Sequence, residues 1–472
     1  MELFKSIFNK NFLKVSFIFL LPFFFLIKTS IDFNSYTSKF GPYQEWRWNT
    51  SYKEILDRKG GDDLTNYVVI AKSIINNGFF ESLKSDSFNI WPPGLPSIHS
   101  IIIYFFGYST HPIPIFFFVS ISLWSYIFFK CSLLVEEEIN NNKKLLLLLL
   151  LMSFVNSDLI NTFFIKQAGL LSEGLSTPLF IIALIRIFDL CNCEKNNPSQ
   201  LITLLLLIGA AFIRVIFDFF ITIFFIIYII YIAYFLIKNN RLKINQNLSK
   251  FFLCKKPLLI LLLLYEVSTF PYRLAMLHYH DNFALNNANF VWTNNWMPDE
   301  YLASFNAGWL IAGGANISCH IDPVTCSEIY NYENSTPNPY QNYDKFRFYK
   351  YLTYKNLIMH PFVWVKYKFK IFIKYWFAVP PDVADANSFS FINLPLFFGL
   401  IFILAKSMIA LGRVKYYYNN PNCIELFMLD FALPMAIIIG FIFPSLLTHL
   451  EVRYLYLPKC FIYFLILLSL KK

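Results

Sequence analysis

The sequence predicts an all-α polytopic membrane protein, and three observations lead to this fold class. Of the 472 residues, 56% are hydrophobic and only 15% are charged, a balance that soluble domains do not show. Long apolar runs follow one another along most of the chain, many of them near the roughly 20 residues that a spanning helix needs. Basic clusters lie in the gaps between these runs, as in cytoplasmic loops. The net charge of +10 therefore indicates topology, and we expect no nucleic-acid partner.

The apolar runs, taken in order, define the predicted elements. The first run, residues 12–27, is interpreted as a retained anchor, because no small-x-small cleavage site follows Lys28. The further runs cover residues 95–106, 113–134, 145–155, 168–189, 200–213, 215–237, 257–270, 391–411, 425–446 and 454–470.

The number of membrane crossings before the basic loop 238–256, which must be even, sets the predicted topology. The strongly basic loop 238–256 is expected inside, which requires that one of the two short runs, 95–106 or 145–155, does not cross. We favour 95–106 as a half-membrane or interfacial helix, because Lys143 and Lys144 then also lie inside. The prediction is ten crossings in the cell's inner (plasma) membrane, with both termini cytoplasmic.

This topology divides the chain into three regions. Residues 1–270 form an N-terminal transmembrane module with an external loop at 29–94, residues 271–390 a long external loop, and residues 391–472 the C-terminal transmembrane helices. The two cysteines of the long loop, Cys319 and Cys326, lie where oxidation is possible. A disulfide and two free thiols both remain open.

The first external loop contains a predicted amphipathic helix. Its apolar residues recur at helical spacing between Gly60-Gly61 and Gly78: Leu64, Tyr67, Val68, Ala71, Ile74 and Ile75. Such a helix suits a membrane surface, and its N-terminus carries Asp62 and Asp63.

The adjacent carboxylates have two explanations. An Asp before a helix is a preferred N-cap, because its carboxylate accepts the unpaired amide hydrogens of the first turn. One Asp suffices for that purpose, so the second is the candidate general base.

Further polar groups mark the outer ends of the predicted spans. These are Glu173, Arg214, Arg273, His449, Glu451 and Arg453. A helix-start carboxylate, a snorkelling arginine or a local Glu–Arg pair would each explain some of them. Taken together, arginines that bind phosphate through a planar fork and a carboxylate base suit the displacement of a phosphate leaving group. A donor that reaches such a membrane cleft would be a lipid-linked phosphate.

The order of short motifs resembles the GT-C glycosyltransferases. The first external loop, with Asp63-x-x-x-Tyr67-x-x-x-Ala71, Gly78, Pro92-Pro93-Gly94-x-Pro96 and Phe106-Gly107, looks like that of protein mannosyltransferases and aminoarabinose transferases, which use polyprenyl-phosphate sugars. Later motifs follow in the family's order, namely Ser172-Glu173-Gly174-Leu175, the Arg214 hairpin, Pro271 with Arg273, His360-Pro361 and Glu451-x-Arg453-Tyr454-x-x-x-Pro458.

The resemblance implies a GT-C-like helical bundle and roles for particular residues. The family's catalytic Asp lies four residues before the Tyr, which corresponds to Asp63 before Tyr67; Asp62 is a second candidate. Donor phosphate would bind Arg214, Arg453 and Tyr454. Supporting residues would be Glu173, Tyr67, His449, Glu451 and Arg273. Leu64 stands where many members have an acid, and Ile90-Trp91 where some have Glu-Lys.

The implied activity is inverting sugar transfer on the external (periplasmic or lumenal) face. The expected partners are the lipid donor, a lipid, glycan or protein acceptor, and membrane lipids, with no metal or cofactor. Two other functions stay open. A lipid-linked saccharide flippase or other transporter would show internal repeats and midplane polar residues, and a polysaccharide polymerase or ligase would place its key Arg and His in the long loop.

Overall fold

The computed structural model describes the parts of the chain that carry most of its helices. These are residues 47–58, 63–85, 88, 92–138, 172–191, 199–214, 216–242, 246–280, 327, 331, 355, 358–377, 393–413, 427–442, 455, 457–462 and 465. The described residues form helices and short connections, with no strand among them. The predicted runs at 12–27 and 145–155 lie outside these residues.

The helices of the first loop come before those of the bundle. The loop contains α1 Tyr52–Asp57, α2 Asp63–Asn77 and α3 Phe79–Ser82, and α4 Gly94–Phe106 begins where the loop ends. The bundle follows with α5 Pro112–Glu138, α6 Glu173–Cys191, α7 Gln200–Ile213, α8 Ile216–Leu242 and α9 Gln246–His280. Later elements are α10 Pro361–Trp376, α11 Leu394–Gly412 and a segment in which α12, Leu433–Ile437, lies between the π-helical turns Met428–Ala432 and Ile438–Ile442.

Three of the described helices are long and apolar enough to cross a membrane. The qualifying stretches are Ile216–Ala233 of α8, Pro257–Tyr279 of α9 and all of α11. Shorter apolar helices occur at Gly94–Phe106, Pro112–Ile127 and Gln200–Ile213. This helical architecture is that of an all-α membrane protein, as the sequence predicts.

The amphipathic helix predicted for the first loop is confirmed as α2. Its buried side includes Leu64, Tyr67, Val68 and Ala71. The helix ends before Gly78, whose φ of 81° is a backbone conformation that side chains with a Cβ rarely adopt. Helix α2 therefore packs by one face on the structure beneath it.

Helix α1 ties the start of the loop to the turn after α4. A capping box joins Ser51 and Glu54, and the amides of Tyr52 and Lys53 donate to the carbonyls of Thr110 and Tyr108 at 3.1 and 2.9 Å. These bonds fix the start of α1 against the turn that follows α4.

Aromatic packing holds the core of the bundle together. Phe180 of α6 stacks on Phe217 of α8 with 4.5 Å between ring centroids, and Phe461 contacts both rings. Helix α11 is joined to the first π-helical turn by the Lys406–Asp430 ion pair at 2.5 Å.

The structure extends α9 beyond the predicted run. The apolar run was expected to end at residue 270, whereas α9 continues through Pro271 to His280. A proline removes one helical hydrogen bond, and neighbouring groups in membrane helices often compensate for the loss. The continuation also brings Arg273 into an ion pair with Asp218 of α8. A hydropathy pattern cannot predict such a pair.

Candidate active site

The Pro92-Pro93-Gly94 motif brings the first loop against the α7–α8 hairpin. Helix α4 begins at Gly94, where an added Cβ would lie 2.6 Å from backbone atoms of Phe212 and Ile213. Any residue larger than glycine would force these backbones apart. The loop that carries Asp63 therefore lies directly on the hairpin that carries Arg214.

Tyr67 marks the contact between the loop and the bundle. It belongs to a small buried apolar cluster formed by Tyr67, Leu95, Phe116, Leu175 and Ile213. Asp63 precedes Tyr67 by about one helical turn, Glu173 precedes Leu175 by two residues, and Arg214 directly follows Ile213. The packing of this cluster thus gathers three polar positions that are far apart in sequence.

Glu173 and Arg214 form an ion pair at this contact. Arg214 Nη1 lies 2.8 Å from Glu173 Oε1, and the two side chains are 14% and 1% exposed. Ser172 Oγ accepts from Arg214 Nη1 at 3.1 Å and donates to Glu173 Oε2 at 3.3 Å. Glu173 is the first residue of α6, where the helix dipole favours a negative charge.

The Arg214 guanidinium keeps unused donor capacity. Its Nε is buried and has no hydrogen-bond partner among the described residues. Arginine is charged throughout the physiological range, and a buried N–H without an acceptor is costly. An anionic ligand with oxygen acceptors would satisfy this group.

Tyr67 is a neutral hydrogen-bonding group at the same place. Burial raises the pKa of its phenol well above the usual value, and the negative charges of Asp63 and Glu173 raise it further. Arg214 and a hydrogen bond with Ser172 act in the opposite direction with smaller effect. The hydroxyl therefore stays protonated and can donate.

His99 packs against the ring of Tyr67. The two rings stack with centroids 6.4 Å apart, and the hydroxyl of Tyr52 lies 2.8 Å from His99 Nδ1. His99 and Tyr52 were not among the sequence candidates. The sequence offers only a weak indication of such residues, namely a polar side chain among apolar ones, and the fold is needed to show that it is buried beside Tyr67.

Arg273 belongs to a second cluster and does not pair with the residues around Arg214 that the structure describes. Its Nη2 donates to Asp218 Oδ1 at 2.6 Å and lies 3.5 Å from Glu266, and the Tyr265 hydroxyl also donates to Asp218 at 2.6 Å. Asp218 was missed in the sequence, although a carboxylate in an apolar helix indicates a specific partner. Tyr272, beside Arg273, contacts Phe212, so this cluster lies near the same hairpin.

Several predicted site residues lie outside the described residues. They are Asp62, His449, Glu451, Arg453 and Tyr454. The predicted cysteine pair, Cys319 and Cys326, also falls there. Within the described ranges, no group of three or more His, Cys, Asp or Glu side chains is placed to hold a metal ion.

Comparison with known proteins adds no relative. No family model, curated protein or solved structure matches this chain.

Proposed function

We propose that the protein is a membrane glycosyltransferase of GT-C type that uses a polyprenyl-phosphate sugar. The observation that carries the proposal is the half-buried Arg214 guanidinium, whose buried Nε lacks a partner among the described residues. Arg214 directly follows Ile213, which packs against Tyr67 of the helix that begins at Asp63. A phosphate acceptor and a carboxylate base within one contact region are what transfer from a phosphate donor requires.

A lipid-linked phosphate fits the surroundings of Arg214. Glu173 neutralises part of the guanidinium charge through Nη1, and the buried Nε is left without a partner among the described residues, so it can donate to a single anionic group. The Tyr67 hydroxyl stays protonated and hydrogen-bonds with Ser172, so it adds no negative charge that would oppose the anion. The hairpin is formed by apolar helices, and α8 contains a stretch long and apolar enough to cross a membrane, so a donor with a hydrocarbon tail suits this place better than a water-soluble nucleotide sugar.

The transfer step follows from these groups. Asp63 removes a proton from the acceptor hydroxyl or amine, and the acceptor forms a bond to the anomeric carbon of the sugar. The bond from that carbon to the phosphate oxygen breaks, and the leaving polyprenyl phosphate keeps the electron pair. Arg214, with the predicted contribution of Arg453, stabilises the added negative charge, and attack opposite the phosphate inverts the anomeric centre.

Substitution of the two neighbouring acids tests the proposal. Asp63→Asn keeps size and much of the hydrogen bonding but cannot accept a proton, so we expect turnover to fall about 10²–10⁴-fold. Binding of the radiolabelled polyprenyl-phosphate sugar should persist, because the phosphate contacts remain. The measurement is transfer and donor binding by the purified full chain.

Asp62→Asn is the matched control. Asparagine is itself a good N-cap, so this variant should retain turnover and thermal stability. Collapse in Asp62→Asn with normal turnover in Asp63→Asn would assign the base to the other carboxylate. Full activity in both variants would contradict a catalytic role for this pair.

A further inference from the structure

Helix α10 carries lysines and exposed apolar residues side by side. Lys366, Lys370 and Lys374 recur every four residues and form one exposed stripe. Phe362, Val365 and Phe369 form the adjacent stripe, with Phe362 88% exposed and Phe369 60% exposed. The side opposite the lysine stripe is buried, and it includes Trp364, Lys368, Phe372 and Trp376.

The apolar stripe continues into the residues before α10. Ile358 and Met359 are 77% and 64% exposed, so large apolar side chains extend along the same segment. Exposure of this many large side chains together indicates a surface that is covered by something apolar.

The contacts of α10 place its end beside a membrane span. Trp376 and Phe377 contact Phe397 with centroid distances of 6.1 and 5.5 Å, and Phe397 lies in the first turn of α11. Helix α11 is long and apolar enough to cross a membrane. The C-terminal end of α10 is therefore near the level at which that span starts.

Helix α10 cannot itself cross the hydrocarbon region. Its 16 residues include Lys366, Lys368, Lys370 and Lys374, and it is shorter than a spanning helix requires. A short helix with an apolar stripe and a flanking lysine stripe at the end of a span has the character of an interfacial helix.

We propose that α10 lies in the membrane interface and binds anionic phospholipid headgroups. Phe362, Val365 and Phe369 enter the boundary of the acyl chains, and the lysine stripe contacts the phosphate layer. Positive charge beside exposed apolar surface complements an anionic bilayer and not a zwitterionic one, because each lysine near an anionic surface raises binding about fivefold.

Photo-crosslinking from α10 tests the proposal in the full chain. The probe p-benzoylphenylalanine replaces Phe369, and the protein is illuminated in nanodiscs with equal phosphatidylglycerol and phosphatidylcholine. We expect lipid adducts in which phosphatidylglycerol exceeds phosphatidylcholine at least about fivefold at low salt. Neutralising Lys366, Lys370 and Lys374 with glutamine should remove this preference, whereas arginine at all three positions should retain it.

The same probe at Phe398 is the matched control. Phe398 is 60% exposed on α11, a candidate span, so it should form lipid adducts with little headgroup preference. These adducts also show that the glutamine variant is folded in the bilayer.

Three results would overturn the proposal. They are adducts to protein rather than lipid at position 369, equal phosphatidylglycerol preference at positions 369 and 398, and an unchanged preference in the glutamine variant. Inorganic phosphate should weaken the preference no more than sodium chloride does at the same ionic strength. A loss specific to phosphate would assign the stripe to a soluble anion.

Discussion

Glu173 and Arg214 are 41 positions apart in sequence, yet they form an ion pair, and Ser172 hydrogen-bonds with both side chains. The sequence predicts each of them as a polar residue at the end of a span. The pairing itself depends on how α6 packs against α7, which no local pattern encodes. The same holds for Asp218 and Arg273, which are 55 positions apart and form an ion pair between α8 and α9.

Neutralising Glu173 should destabilise the folded protein. Glu173→Gln leaves the Arg214 charge with a neutral partner in a nearly buried setting, and we expect a loss of about 3 kcal/mol, the lower end for breaking a buried pair. The 14% exposure of Arg214 favours the lower end. Denaturant or thermal unfolding of the full chain in detergent measures the effect.

The exposed pair of Glu81 and Lys84 supplies the control. These side chains are 59% and 49% exposed, so Glu81→Gln should leave stability nearly unchanged. Equal small changes in both variants would mean that the Glu173–Arg214 pair contributes nothing to folding.

Among the elements, α2 is well predicted and α10 is not. The helical spacing of Leu64, Tyr67, Val68 and Ala71 and the stop at Gly78 give α2 its extent from sequence alone. Helix α10 falls within the segment 271–390, because its lysines interrupt the apolar pattern and suggest a solvated loop. The structure shows that this segment is a helix with one buried face, which includes Trp364, Phe372 and Trp376.

The position of α4 against the hairpin depends on Gly94. Gly94→Ala would place a Cβ 2.6 Å from backbone atoms of Phe212 and Ile213, so one backbone must move. We expect a loss of about 1–3 kcal/mol of stability, as in other overpacked sites. Turnover should also fall, because the loop helix of Asp63 shifts relative to Arg214.

Gly209→Ala is the matched substitution in α7. Its added Cβ would meet only a side-chain atom of Leu179 at 4.0 Å, and alanine favours a helix over glycine by about 0.5–1 kcal/mol. Unfolding and turnover of both variants are measured together. If Gly94→Ala behaves like Gly209→Ala, the close approach does not constrain the site.

At the scale of the whole molecule, composition predicts the class of protein and packing determines the site. The apolar runs at 200–213, 215–237 and 391–411 correspond closely to α7, α8 and α11. The predicted number of crossings and the inside–outside arrangement stay predictions. The contact of the first loop with the α7–α8 hairpin could not be predicted from the sequence. It depends on Gly94, and a glycine in the sequence does not indicate which backbone it approaches.

The central claim is that Arg214 binds the phosphate of a lipid-linked sugar donor. Equilibrium binding of a radiolabelled polyprenyl-phosphate sugar to the purified full chain tests it most directly. Arg214→Ala should weaken donor binding by about 2–5 kcal/mol, and Arg214→Lys should recover only part of this, because lysine cannot donate in a fork.

Two controls make this measurement decisive. Arg186→Ala removes an arginine of α6 that donates to Thr203 and the Ser199 carbonyl, and it should leave donor affinity unchanged. Arg214→Ala combined with Glu173→Gln leaves no unpaired charge and should bind donor as weakly as Arg214→Ala alone. Donor binding of wild-type strength in Arg214→Ala, or no donor binding by the wild-type protein, would contradict the account.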